Sequence, residues 1–117
     1  MFYKYKPHFI LVSVGLDGHY TDPVGSLSLS ALCYKNVYSL IVKLASEICD
    51  GRLVSVLEGG YSRRFVGKIA AAAIGEMSQF NYEINDKAPL INKQIVQKGR
   101  KILEKVTKVQ SNFWDLG

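Results

Sequence analysis

The sequence contains few of the residues that mark disulfide-bonded, zinc-finger or membrane-spanning proteins. Its 117 residues include only two cysteines, with no Cys-x-x-Cys pair and no Cys/His cluster of zinc-finger spacing. Because Cys33 and Cys49 lie in one predicted helix, we expect reduced, buried thiols rather than a disulfide. The longest apolar runs, FILVSV and IAAAAI, are much shorter than the roughly 20 residues of a membrane span. The N-terminal MFYKYKPH also lacks the design of a signal peptide, so we expect a cytoplasmic protein.

Nucleotide-binding motifs are missing as well. The chain has no G-x-G-x-x-G and no G-K-[ST], which argues against a dinucleotide site or a P-loop. Its net charge of +5 is uneven, because residues 1–61 are balanced and the whole excess lies in residues 62–117. The last basic segment, KQIVQKGRKILEKVTK, lacks interleaved aromatic residues. We interpret it as the solvated face of an amphipathic helix and expect neither a nucleic-acid nor a membrane partner.

The apolar pattern predicts two strands and three helices. We expect strands at 8–15 and 52–58, helices at 30–49, 63–77 and 91–110, and a loop at 78–90. Two buried strands joined by a helix predict a βαβ unit with parallel strands. Since parallel sheets usually contain more strands and are covered on both faces, we expect either oligomerisation or a larger sheet to which these strands belong.

Two polar, glycine-rich loops follow the predicted strands. GLDGHYTDPVG comes after the first strand and EGGYSRR after the second. In open α/β sheets the carboxyl ends of the strands form ligand sites, so these loops are expected to lie side by side. Asp17 could project into this crevice as a metal ligand, or it could serve an Asx-type turn.

The other residues of these loops also allow two interpretations. His19 could be a ligand or a base, or a structural hydrogen-bonded histidine. Asp22 before Pro23 fits an ordinary turn. Gly59 and Gly60 either allow a ligand close to the backbone or make a strand-to-helix turn. Tyr61 could donate its hydroxyl to a developing oxyanion, or merely pack.

Taken together, the two loops resemble the C-terminal part of the histone deacetylase superfamily, which includes acetoin-utilisation proteins and acetylpolyamine amidohydrolases. The resemblance rests on PHFILVSVGLDGHYTDPVGSLSLS, then GRLVSVLEGGY, and a final basic helix followed by FW, in the family's order and spacing. It covers almost the whole chain. It implies the C-terminal part of an arginase/deacetylase-type three-layer α/β fold, with two or three parallel strands and flanking helices. Residues 1–117 would then form a single partial domain.

The resemblance also implies an activity and a set of site residues. The family consists of zinc-dependent amidohydrolases, and the substrate would be an acetylated lysine, an acetylpolyamine or a related N-acyl amine. Asp17 matches a ligand of the catalytic zinc. Tyr61 matches the tyrosine that polarises the acetyl carbonyl and stabilises the oxyanion. Gly59, Gly60 and Val24 match positions that shape the substrate tunnel and its mouth.

The sequence departs from this family by lacking most of the site. The family takes two further zinc ligands from an Asp-x-His motif on an earlier strand and its general acid and base from a His-His pair. This sequence has no His-His pair, and its single Asp-x-His, Asp17-Gly18-His19, belongs to the loop already matched, so a second such motif is missing. A catalytic zinc normally has three protein ligands, so the Zn²⁺ site is incomplete here and the chain alone should be inactive. We expect a missing N-terminal portion, supplied in cis or in trans, or self-association. The alternative is a non-enzymatic truncated or degenerate module that acts through oligomerisation or partner binding.

Overall fold

The computed structural model describes residues 1–87, 89–90 and 92–116. The chain divides into two compact units, Lys6–Pro89 and a smaller one that consists of Met1–Tyr5 with Leu90–Gly117. The larger unit carries both predicted loops and therefore the candidate site. The prediction of a single partial domain stays a prediction.

The larger unit contains a two-stranded parallel sheet. Strand β1 spans Ile10–Val14 and strand β2 spans Leu53–Leu57, so both predicted strands are confirmed with slightly shorter bounds. The strands pair in parallel with Ile10 opposite Leu53 and Val14 opposite Leu57. The predicted βαβ arrangement is thus confirmed, and the carboxyl ends of the two strands lie next to each other.

The two strands, predicted to be buried, are only partly buried within this unit. Leu11, Val54 and Val56 point away from the helices and remain 64%, 43% and 46% exposed. Side chains alternate between the two faces of a strand, and the described helices of Lys6–Pro89 pack only on the face that carries Val14 and Ser55. The apolar residues on the second face of the sheet, Leu11, Val54 and Val56, are therefore not covered by the helices of this unit.

Helix α2 connects the strands and spans Ala31–Cys49, as the apolar periodicity predicts. (The short helix α1 precedes β1 at Phe2–Tyr5.) The Ser30 side chain caps α2 by accepting a hydrogen bond from the backbone N–H of Cys33 at 3.2 Å. The helix ends through two left-handed residues, Asp50 with φ 52° and Gly51 with φ 75°. Both cysteines of α2 are free thiols.

Helix α3 spans Val66–Met77 and starts three residues later than predicted. The backbone N–H groups of Phe65 and Val66 both donate to the carbonyl of Ser62, so the segment before the helix is a tight turn. Helices α2 and α3 pack together and share the apolar core with the loop after β1. The buried members of this core are Leu16, Ala31, Tyr34, Phe65 and Ile69.

The smaller unit contains α1 and helix α4, which spans Lys93–Gln110. Asn92 caps α4, and Lys4 forms an ion pair with Asp115 at 3.1 Å. Ile91, the first residue predicted for this helix, lies outside the described residues. The apolar stripe of α4 is largely exposed, with Ile95 and Val109 at 68% and 56%. None of the helices in the described part of the chain is long and apolar enough to cross a membrane.

Candidate functional site

The candidate site is built where the two strands end. The ladder of the sheet continues past the strands, because Glu58 donates its N–H to the Val14 carbonyl at 3.0 Å and Leu16 donates to the Gly59 carbonyl at 2.7 Å. These two hydrogen bonds bring the loop after β1 against the loop after β2. The predicted side-by-side placement of the loops is confirmed.

Asp17 is half-buried and lies among glycines. A Cβ atom on Gly15 would collide with Oδ1 of Asp17, and one on Gly59 would lie 3.1 Å from its Cγ and Oδ2. A Cβ atom on Gly25 would collide with the Asp17 carbonyl oxygen. Within the described residues, no donor forms a hydrogen bond with the Asp17 carboxylate. Glycine at these positions therefore lets the backbone pack directly against the carboxylate and the carbonyl of Asp17.

The phenol of Tyr34 lies just beneath this loop. Its hydroxyl donates to the Gly15 carbonyl at 3.3 Å, and the side chain is buried in the core. Burial raises the pKa of Tyr34, and the negative charge of Asp17 raises it further, although the backbone at Gly18 lowers it. Tyr34 therefore stays a neutral donor beneath the Asp17 turn.

Asp22 holds the two loops together. Its Oδ1 accepts the N–H groups of Val24 and Gly25 at 2.9 and 3.0 Å, which forms the turn predicted at Pro23. Its Oδ2 accepts the N–H groups of Tyr61 and Ser62 at 2.7 and 3.0 Å. Burial raises the pKa of Asp22, but these four N–H donors outweigh it and hold the pKa below its ordinary value.

Tyr61 and Val24 are exposed at 54% and 69%. Gly60, directly before Tyr61, has φ 138°, a backbone conformation that favours glycine. A Cβ atom at Gly60 would lie 2.9 Å from Cβ of Leu16 and 3.1 Å from Cγ2 of Val66. The LEGGY turn is therefore both left-handed and tightly packed, and it presents the Tyr61 ring to solvent.

His19 is fully buried and hydrogen-bonded on both ring nitrogens. Its Nε2 lies 3.1 Å from Oδ2 of Asp86, and its Nδ1 lies 2.9 Å from the Thr21 hydroxyl. Its relative exposure is 0%, so a substrate has no access to the ring. Of the two interpretations of His19, the structural one is confirmed.

Asp86 is the residue that sequence reasoning missed. It lies in the predicted loop 78–90, and its side chain is only 1% exposed. Burial raises the pKa of Asp86, but hydrogen bonds from the Ala31 N–H, His19 and Tyr20 lower it below the ordinary value. Tyr20 in turn has a raised pKa, because its hydroxyl donates to Asp86. The sequence carries no signal for it, since α2, α3 and α4 all lack an acidic residue in the first turn.

The described residues contain no group of three or more His, Cys, Asp or Glu side chains arranged to hold a metal ion. Asp17 fits the role of one carboxylate ligand, because carboxylate oxygen is a Zn²⁺ donor and no described residue donates a hydrogen bond to it. A catalytic zinc needs about three protein ligands, so this set does not hold the ion alone.

Comparison with known proteins gives a consistent result. Residues 1–77 match the family model of the histone deacetylase domain. The chain is 38% identical over 120 residues to a probable deacetylase of Archaeoglobus fulgidus, covering 95% of this chain and 33% of the relative. It is 39% identical over 79 residues to the chloroplastic histone deacetylase 14 of Arabidopsis thaliana, covering 64% of this chain and 19% of the relative.

The fold comparison agrees. The crystal structure of the HDA15 HD domain superposes with a TM-score of 0.72 at 23% identity, covering 97% of this chain and 28% of that one. This likeness confirms the predicted α/β deacetylase-type fold with parallel strands and flanking helices. The chain spans at most about a third of the length of these relatives.

Proposed function

The chain belongs to the histone deacetylase family, and we propose on that premise that it supplies part of the active site of a zinc-dependent amidohydrolase. The proposed reaction adds water across the amide of an N-acetylated amine and releases acetate and the free amine. The proposed substrate class is acetyl-lysine, acetylpolyamine or a related N-acyl amine.

The observation that carries this proposal is the meeting of Asp17 with the LEGGY turn at the strand ends. Gly59 lies against the Asp17 carboxylate, and the Tyr61 backbone is held across the gap by Asp22. A carboxylate ligand and a phenol donor are thus provided by adjacent loops on one edge of a sheet. Such a donor, fixed before the reaction, stabilises charge as it develops on the carbonyl oxygen.

Each residue of this proposal has a separate role. Asp17 would be one ligand of Zn²⁺, which when bound supplies an activated water and polarises the substrate carbonyl. Tyr61 would donate its hydroxyl to the developing oxyanion. Gly59 and Gly60 would allow the acyl group to approach the backbone, and Val24 would contact the substrate at the mouth of the site.

The remaining machinery has to come from other residues. The sequence contains no His-His pair and no Asp-x-His motif besides Asp17-Gly18-His19, whose histidine is buried, so it supplies neither two further ligands nor a general acid and base. We therefore propose that residues 1–117 act together with a polypeptide segment that carries these motifs, in cis or in trans.

The test is the Tyr61→Phe substitution in the chain combined with such a segment. Acetate release from an acetylated peptide should fall about 10²–10³-fold, because a preorganised donor to the oxyanion is lost. The matched control is Tyr5→Phe, which removes a hydroxyl from a residue that is 70% exposed in the smaller unit. Unchanged turnover in Tyr61→Phe would remove the catalytic assignment.

A further inference from the structure

We propose that His19 is a positioning residue for the Tyr61 turn. In this proposal a buried hydrogen-bond chain runs from Asp86 through His19 and Thr21 to Ser62, and it fixes the backbone that presents Tyr61. The inference rests on the proposed catalytic role of Tyr61, but its test below needs no catalysis.

One end of this hydrogen-bond chain, Asp86, is bound to the start of α2. Oδ2 of Asp86 accepts the backbone N–H of Ala31 at 2.7 Å and lies 3.1 Å from Nε2 of His19. Oδ1 of Asp86 accepts the Tyr20 hydroxyl at 2.9 Å. The carboxylate is thus held by three donors, one of which belongs to a helix N-terminus that favours negative charge.

The hydrogen-bond pattern assigns the tautomer of His19. The backbone N–H of Thr21 points at Nδ1 from 3.3 Å, and a backbone N–H can only donate. Nδ1 is therefore an acceptor, so Nε2 carries the proton and donates to Asp86. With Nδ1 as acceptor, the Thr21 hydroxyl at 2.9 Å shares the single Nδ1 lone pair with the Thr21 N–H, and the Thr21 oxygen accepts from the Ser62 hydroxyl at 2.9 Å. All donors along this chain point toward Asp86.

The other end of the hydrogen-bond chain is Ser62, the residue directly after Tyr61. Ser62 and Phe65 are each only 7% exposed, and the His19 ring stacks on the Phe65 ring with 4.7 Å between centroids and 26° between planes. His19 therefore holds residues 62–65 by a hydroxyl relay and by ring stacking. Asp22, in the same loop as His19, accepts the N–H of Tyr61. The backbone is therefore restrained both at Tyr61 and at the residues that follow it.

The test compares amide hydrogen exchange in the full chain before and after Thr21→Val, which removes the hydroxyl with little change in shape. The amides of Tyr61 and Ser62 should lose protection about tenfold, as expected for the loss of one buried hydrogen bond. The sheet amides of Leu16 and Glu58 should keep theirs. The matched control is Thr107→Val on exposed α4, which should change none of the four. Equal protection of Tyr61 and Ser62 in Thr21→Val and in the unsubstituted chain would overturn the proposal.

A second measurement keeps the proposal testable if Thr21→Val also loosens the sheet. The ¹⁵N resonances of His19 in the unsubstituted chain should show a protonated Nε2 and an unprotonated Nδ1, and Asp86→Asn should shift the Nε2 resonance. A protonated Nδ1 would contradict the assigned chain. Because neither readout involves turnover, failure here is distinct from failure of the Tyr61→Phe test.

Discussion

Oδ2 of Asp22 accepts the backbone N–H of Tyr61 at 2.7 Å, a contact between two loops whose partners lie 39 residues apart in the sequence. The other oxygen of the same carboxylate closes the turn at Val24 and Gly25. One side chain therefore sets the shape of the first loop and the position of the second. Charge-assisted hydrogen bonds of this kind are stronger than those between neutral groups.

We expect Asp22→Asn to lower the thermal midpoint of unfolding by several degrees. The amide places an NH₂ group against backbone N–H donors, so at least one hydrogen bond is lost and the negative charge disappears. The matched control is Asp50→Asn, the same chemical change at an exposed left-handed position that asparagine tolerates. Scanning calorimetry of both variants measures the difference, and similar midpoints would contradict the role of Asp22.

Acid should destabilise the larger unit through Asp22 and Asp86. Both carboxyls have a pKa below the ordinary value of 3.8 in the folded chain. A pKa that is depressed by folding contributes stability above the ordinary pKa, and that stability is lost as the pH falls through the folded pKa. The unfolding midpoint should therefore decline most steeply at and below about the ordinary pKa of aspartate.

The double variant Asp22→Asn with Asp86→Asn tests which groups cause this acid sensitivity. Its midpoint should be lower near neutral pH and should change less with acidification, since two of the titrating groups are gone. Equal slopes against pH in the double variant and the unsubstituted chain would assign the acid sensitivity to other carboxyls.

The main elements of the fold could be predicted from the sequence because their signals are local. The apolar run of β1 and the helical spacing in α2 depend on neighbouring residues, and both elements appear at the predicted places. The exposure of Leu11 and Val56 could not be predicted in this way. An apolar strand shows that a face can be buried, but which neighbour buries it depends on the tertiary arrangement.

In the site, too, features set by neighbouring residues could be predicted and features set by tertiary contacts could not. The loops containing Asp17 and Tyr61 were found because they follow strands in a sheet that collects ligands at one edge. Asp86 was missed because its partners His19 and Tyr20 are 67 and 66 residues away and nothing in NYEINDKAPL marks it. Long-range hydrogen bonds between loops are decided by tertiary contacts and leave no periodic signal in the sequence.

Alanine should have opposite effects at Gly60 and Gly67. At Gly60 the left-handed φ of 138° and the contacts with Leu16 and Val66 predict a loss of about 1–3 kcal/mol in unfolding free energy. At Gly67, within α3, an added Cβ meets nothing within 4 Å. Alanine is the better helix former, so Gly67→Ala should gain about 0.5–1 kcal/mol.

Denaturant unfolding of the two glycine variants measures both signs on one chain. Because the substitution is chemically identical, Gly67→Ala serves as the control for Gly60→Ala. A neutral or stabilising Gly60→Ala would show that the LEGGY turn can relax, and would contradict the tight packing of Gly60 against Leu16.

Asp17→Asn should lower the zinc content of the chain combined with a segment that carries the Asp-x-His and His-His motifs. An amide oxygen is neutral and binds Zn²⁺ more weakly than a carboxylate does. The substitution therefore weakens one of the three protein ligands that a catalytic zinc needs. Because no described donor hydrogen-bonds to the Asp17 carboxylate, the fold should tolerate the change. We therefore expect an unfolding midpoint close to that of the unsubstituted chain, measured with the metal removed.

The control is again Asp50→Asn, whose carboxylate is exposed and pairs with Arg52 at 3.3 Å, far along the chain from the loop of Asp17. Metal analysis after gel filtration of the combined protein should show full zinc in Asp50→Asn and reduced zinc in Asp17→Asn. Full zinc in both variants would mean that the ion is held without Asp17. The carboxylate packed against Gly15 and Gly59 would then need another role, since no donor among the described residues compensates its partial burial.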